Sequence, residues 1–283
     1  SGFEAFKTIA YVNLLSGIIS FPILIIGTYY GGITGAVWAM AINVGIKWMI
    51  SHLALRKEAR RYGISLDVIG CRKEWPILMK FSLPAVLAGS LVAPVIWMGN
   101  ALLVNQSNGY DEMGIYNAAN QWYLMFLFLP TLLCGVILPV MSSQIGENSG
   151  KKSLKTLILS VKINLAIVVP LIIAGIIASP FIMSLYGENF RDGWPTLIIV
   201  LLTVGILAVQ TPVSQIIAAS GKMWIGLTIN ACWALVFLGS ALMFIDGGSF
   251  GLASARLLAY VANSLLIMVF IIRLSRKEAA IEG

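Results

Sequence analysis

Residues 56–74 read RKEARRYGISLDVIGCRKE. They hold six of the chain's 19 lysines and arginines (Arg56, Lys57, Arg60, Arg61, Arg72 and Lys73) and the carboxylates Glu58, Asp67 and Glu74. On either side the sequence is intensely apolar. Runs of about 20 apolar residues have the length that a helix needs to cross a hydrocarbon core. Two such runs precede the stretch and six follow it. It therefore reads as a cytoplasmic hinge that orients every helix and separates two lobes of unequal size. The fold class that follows is all-α, a polytopic transmembrane helix bundle of about eight spans.

Composition agrees. Of 283 residues, 59% are hydrophobic and 11% charged, and the mean hydropathy is +0.90, too apolar for a soluble globular domain. A β-barrel needs short segments of alternating polarity, and the sequence has none. The net charge of +7 would suit nucleic acid, but its placement points to membrane lipids instead. Lys7, the six hinge residues, Lys151, Lys152, Lys155, Lys222, Arg273, Arg276 and Lys277 all fall on one side of the expected membrane. The other side holds Arg191 among Asp111, Glu112, Glu188, Asp192 and Asp246. That is the positive-inside pattern, and it places both ends of the chain in the cytoplasm. Cys71, Cys134 and Cys232 are widely spaced with no CxxC, and His52 stands alone. No disulfide framework, metal site or cofactor is expected.

Helices are expected at about 8–28, 35–55, 75–104, 115–141, 157–185, 195–219, 223–245 and 251–272. Tyr29–Gly32, VNQSNGYDEMG, QIGENSGKKSLK, YGENFRDGW, Ser220–Lys222 and Asp246–Gly248 are the connections, and RLSRKEAAIEG is a cytoplasmic tail. Trp48, Trp75, Trp194 and Trp224 fall near the expected interfaces, where an indole is favoured.

The two ends of the chain repeat one order of features. Residues 1–55 run Ser1-Gly2, helix, Gly31-Gly32-Ile33-Thr34-Gly35, helix, Arg56-Lys57-Glu58. Residues 220–278 run Ser220-Gly221, helix, Gly247-Gly248-Ser249-Phe250-Gly251, helix, Arg276-Lys277-Glu278. A duplication makes 75–275 one six-helix lobe and 1–55 the last two helices of an equivalent lobe. Residues 56–74 are then the hinge between them and 276–283 the tail. Four further helices are expected upstream, since SGFEAFK has neither an initiator Met nor a signal-peptide layout. Repeats of this kind are frequent in transporters, whose sites lie between related halves.

The stretches SGFEAFK, GGITGAVWAMAI, KFSLPAVLAGS, YNAANQWYLMFLFLPTLLCGVILPVMS and SLYGENFRDGWPTLIIVLL, taken in order, carry a resemblance over essentially the whole chain. It is similar to the polysaccharide-transport branch of the multidrug/oligosaccharidyl-lipid/polysaccharide exporter (MOP) superfamily, the O-antigen flippases. The resemblance implies two six-helix lobes around a central cavity, in the bacterial inner membrane. The implied cargo is undecaprenyl-diphosphate-linked oligosaccharide, moved between leaflets by alternating access. The implied partners are that lipid-linked oligosaccharide and polysaccharide polymerase or assembly proteins.

No transmembrane run holds Asp or Glu away from its ends, so the groups that proton or sodium antiport requires are not seen here. Cations do enter. Arg256, Tyr260 and Asn263 are spaced i, i+4, i+7 and share one helix face, and the matching face of the second helix carries Asn43 and Lys47. Two polar, cationic faces suit a cavity for a diphosphate and its sugars. The alternative for Arg256 and Lys47, as for Lys80 and Lys162, is snorkelling to an interface. Asn117, Asn120 and Gln121 open the fourth helix on one face. Their amides suit sugar hydroxyls and equally suit helix packing, as do Gln210 and Gln215. Pro22, Pro94, Pro130, Pro139, Pro170 and Pro212 are bending points or static kinks.

The chain carries no Ser/His/Asp set, DxD or phosphate-binding loop, and no catalytic residue is expected. Beside the flippase stand a multidrug antiporter of the same superfamily, a membrane enzyme such as an O-antigen polymerase, and an inactive truncated remnant. An antiporter needs an embedded acid, and a polymerase a large outer loop.

Overall fold

The computed structural model describes residues 6–63, 75–146 and 150–282, with side chains described for 7–63, 75–133 and 155–269. Apart from short turns these residues are helical, with no strand among them. The helices are α1 (Phe6–Arg61), the single turn α2 (Trp75–Ile77), α3 (Leu83–Val104), α4 (Gly109–Gly146), α5 (Gly150–Ser184), α6 (Trp194–Ala219), α7 (Met223–Phe244) and α8 (Gly248–Glu282). A π-turn, Leu78–Ser82, joins α2 to α3. The chain divides into two compact units, Ser1–Glu74 and Trp75–Gly283.

The first unit is a hairpin. α1 is broken at Gly32, whose φ of 54° and ψ of −137° mirror the first central position of a type II turn, a conformation only glycine adopts freely. The two arms are the expected first and second helices. Thr8 donates its hydroxyl to Glu58 Oε1 at 2.7 Å, tying the hairpin's open end, and Asn43 Nδ2 donates to the Ser20 carbonyl at 3.4 Å.

The second arm corrects the expected hinge. Arg56–Arg61 continue the helix, because Arg, Lys, Glu and Ala are good helix formers and leaving the membrane does not break the backbone ladder. Arg60 and Arg61 lie in the last turn, where cations complement the helix dipole. The helix stops at Gly63 (φ 66°), whose N–H donates to the Arg60 carbonyl. Residues 64–74, including Asp67, Cys71, Arg72, Lys73 and Glu74, lie outside the described residues.

The second unit is built on α6, which packs against α4, α5 and α8, while α7 pairs with α3 and α8. Leu103, Met183, Leu197, Leu201, Val204, Phe237 and Leu252 are fully buried at its centre. Its connections are shorter than expected. α4 begins at Gly109 rather than near 115, which puts Asp111 and Glu112 in its first turn, where carboxylates suit the helix dipole. YGENFRDGW is mostly a 3-10 turn, Glu188–Gly193. QIGENSGKKSLK and the tail are largely helical too, α4 reaching Gly146, α5 starting at Gly150 and α8 reaching Glu282.

At the turn into α8, Gly248 has φ 60° and ψ −137°, nearly the values of Gly32. The third glycines of the two GGxxG segments also match. A Cβ at Gly35 would strike the Gly27 carbonyl, and one at Gly251 the Phe244 carbonyl. The two GGxxG segments thus share a backbone conformation as well as a sequence order. Glu112 Oε2 accepts the Ser249 N–H at 2.7 Å, capping α8 from α4, and the Thr196 and Ser249 hydroxyls bond at 3.0 Å to join α6.

Candidate anion site on the eighth helix

The inner face of α8 is lined by small residues. Ala253, Ala255 and Ala259 are fully buried, and their size lets neighbouring helices approach closely. Arg256 stands among them with 5% of its surface exposed. Its guanidinium is inside the unit, so the snorkelling alternative does not hold.

The guanidinium is held from α4. Nη1 donates to Asn120 Oδ1 at 2.8 Å and to the Tyr116 hydroxyl at 3.3 Å, and Cζ lies 4.1 Å from the centre of the Tyr123 ring. Tyr260 follows Arg256 by one turn on the same face of α8, and its ring leans on Trp233 at 5.4 Å. Tyr116, Asn120 and Tyr123 are spaced i, i+4, i+7, the same stripe as Arg256, Tyr260 and Asn263, so two helix faces meet.

Among the described residues this cluster holds no carboxylate. The one ion pair among the described residues joins Arg61 to Glu58 at 4.0 Å, in the first unit. Guanidinium cannot shed its proton in a protein, so a full positive charge is buried against neutral dipoles and π faces. Arg256 Nε is buried with no hydrogen-bond partner among the described residues. Burying a cation is costly unless it is paired. The arrangement can accept an anion, and a phosphate oxygen matches the guanidinium's donor geometry.

The other expected site residues separate. Asn263 is buried, and its Nδ2 donates to Gln210 Oε1 at 3.4 Å, so it joins the cluster only through Gln210. Asn117 and Gln121 are exposed, the latter accepting from the Tyr186 hydroxyl at 3.4 Å. Asn120, between them in sequence, is turned to Arg256 instead. In the first unit Asn43 bridges the arms and Lys47 is exposed. Lys80 and Lys162 are exposed as well. Tyr116 and Tyr123 are the functional candidates that sequence reasoning missed, although their spacing around Asn120 was a usable signal.

Residues 4–195 match the family model described as "Polysaccharide biosynthesis protein". The chain belongs to this family. α8 and Arg256 lie beyond the matched residues of the family model. A relative is the EPS I polysaccharide export inner membrane protein EpsE of Ralstonia nicotianae, 24% identical over 200 residues, which are 70% of this chain and 45% of the relative. The protein of the same name from Ralstonia solanacearum is 26% identical over 204 residues, with the same coverage. The chain thus spans about half the length of these family relatives. The fold is that of the Vibrio cholerae MATE transporter VcmN, with a TM-score of 0.79 at 15% identity over 95% of this chain and 63% of that one. A MOP superfamily transporter from Pyrococcus furiosus gives 0.72 at 16% identity, again over 95% and 63%. Membership agrees with the resemblance to the polysaccharide branch of the MOP superfamily read from the sequence.

Proposed function

We propose that this protein acts in the export of a lipid-linked glycan across the bacterial inner membrane, and that Arg256 binds the diphosphate of that cargo. The single observation that carries the proposal is the buried guanidinium with no carboxylate partner among the described residues, on a helix of a MOP-type fold. Relatives named for polysaccharide export support an anionic glycolipid as the cargo, and they favour a transporter over an enzyme. A diphosphate would neutralise the cation that Tyr116, Asn120, Tyr123 and Tyr260 now only solvate. Undecaprenyl diphosphate carrying an oligosaccharide has this chemistry.

The test is a binding titration of the purified protein with undecaprenyl diphosphate. A charge-assisted hydrogen bond is worth about 1.5–3 kcal/mol, so Arg256→Gln is expected to weaken binding about 10- to 100-fold. Arg256→Lys keeps the charge without the fork and falls between. Equal affinity in all three proteins contradicts the assignment.

A further inference from the structure

A proline inside a helix leaves unbonded the carbonyl four residues before it. In α6, Pro212 frees the carbonyl of Ala208, which is fully buried. The oxygen is not stranded. Asn164 of α5, also fully buried, donates Nδ2 to it at 3.1 Å. α5 carries two prolines, Pro170 and Pro180, and treats the second differently. Pro180 frees the Ile176 carbonyl, and the adjacent Ser179 supplies its hydroxyl at 2.7 Å. The break at Pro180 is closed within one helix. The break at Pro212 is closed from a second helix, so it depends on the register of α5 against α6.

Two residues before Pro212, Gln210 reaches the opposite way. Its Nε2 donates to the Tyr260 carbonyl at 2.8 Å and to Ser264 Oγ at 2.7 Å, and its Oε1 accepts from Asn263 at 3.4 Å. These residues are on α8, and Tyr260 lies one helical turn after Arg256 on the same face. One short segment of α6 therefore holds a proline break, the carbonyl that the α5 amide stabilises, and the polar link to α8.

We propose that the Pro212 junction is a hinge set by Asn164 and wired through Gln210 to α8, so that occupancy of the Arg256 site and the bend of α6 control each other. This rests on the anion site proposed above. Gln210 acts here as a positioning residue, since it touches Tyr260 and Asn263 rather than the anion.

Two measurements test it. The first is a double-mutant cycle read as melting temperature. Asn164→Ala is expected to lower it in the Pro212 protein and to leave it almost unchanged beside Pro212→Ala, because alanine restores the N–H that Ala208 needs. An equal loss in both backgrounds overturns the role given to Asn164. The second places labels at Trp194→Cys and Ala219→Cys, the ends of α6, in a protein cleared of Cys71, Cys134 and Cys232. Adding undecaprenyl diphosphate is expected to shift their distance distribution. The shift should vanish in Pro212→Ala and in Gln210→Met, with binding retained in both. Binding with an unmoved α6, or an undiminished shift in Pro212→Ala, overturns the hinge alone. Failure of the unaltered protein to bind overturns the anion site and the hinge together.

Discussion

Arg256 carries a permanent charge in a place where charge is expensive, and each group around it contributes something measurable. Tyr123→Leu removes the π face and is expected to cost about 1–2 kcal/mol. Tyr116→Phe removes one hydrogen-bond acceptor and is expected to cost about 1 kcal/mol. Both are read by thermal unfolding in detergent. Arg256→Gln itself should change stability little, because losing the interactions is offset by no longer burying a cation. A large fall in melting temperature would mark the arginine as a structural strut. At this scale the sequence showed Arg256, Tyr260 and Asn120 of the cluster and missed Tyr116 and Tyr123. The i, i+4, i+7 spacing brought out Arg256, Tyr260 and Asn263, and an arginine in an apolar run draws notice by itself. Tyr116 and Tyr123 did not stand out, because a tyrosine is at home at any membrane interface. Only the pairing of α4 with α8 turns those rings toward a charge. Asn43 and Asn117 show the converse limit, since an amide's polarity does not say which partner it meets.

The helices respond to their glycines and caps. Gly32 and Gly248 share an unusual conformation but not the same surroundings. A Cβ at Gly32 meets open space, whereas one at Gly248 would lie 2.5 Å from the Glu112 carboxyl carbon. Gly32→Ala is expected to cost about 1–3 kcal/mol for backbone strain alone. Gly248→Ala should cost more, because it also pushes Glu112 off the α8 N-terminus. Equal losses in melting temperature would show that the cap contributes nothing. Glu112→Ala removes the cap without strain and should cost about 1 kcal/mol. The middles of the helices were legible from hydropathy, and their ends were not. Apolar runs stop at the membrane surface, but Arg56–Arg61, Gly109–Gly114 and Arg273–Glu282 keep their backbone bonds in water. The GGxxG turns were legible as turns, and the structure adds that one glycine in each must take a positive φ.

For the whole molecule, charge asymmetry and family membership lead to one picture. Five spans among the described residues are long and apolar enough to cross a membrane, and the alternation of basic and acidic connections along the sequence predicts one orientation for them. Cysteine substitutions test the orientation. A label at Lys222→Cys should react from the cytoplasm and one at Asp246→Cys from outside. The reverse pattern would invert the assigned topology. The described chain divides after Glu74, within the charge-rich segment that no apolar run bridges. The central claim is that this exporter fold handles an anionic glycolipid through Arg256. Its most direct test is reconstitution of the protein in vesicles, following the passage of undecaprenyl-diphosphate-linked oligosaccharide from one leaflet to the other. The expected result is protein-dependent passage that Arg256→Gln reduces at least about 10-fold at unchanged melting temperature. Passage at the same rate in Arg256→Gln would contradict the claim.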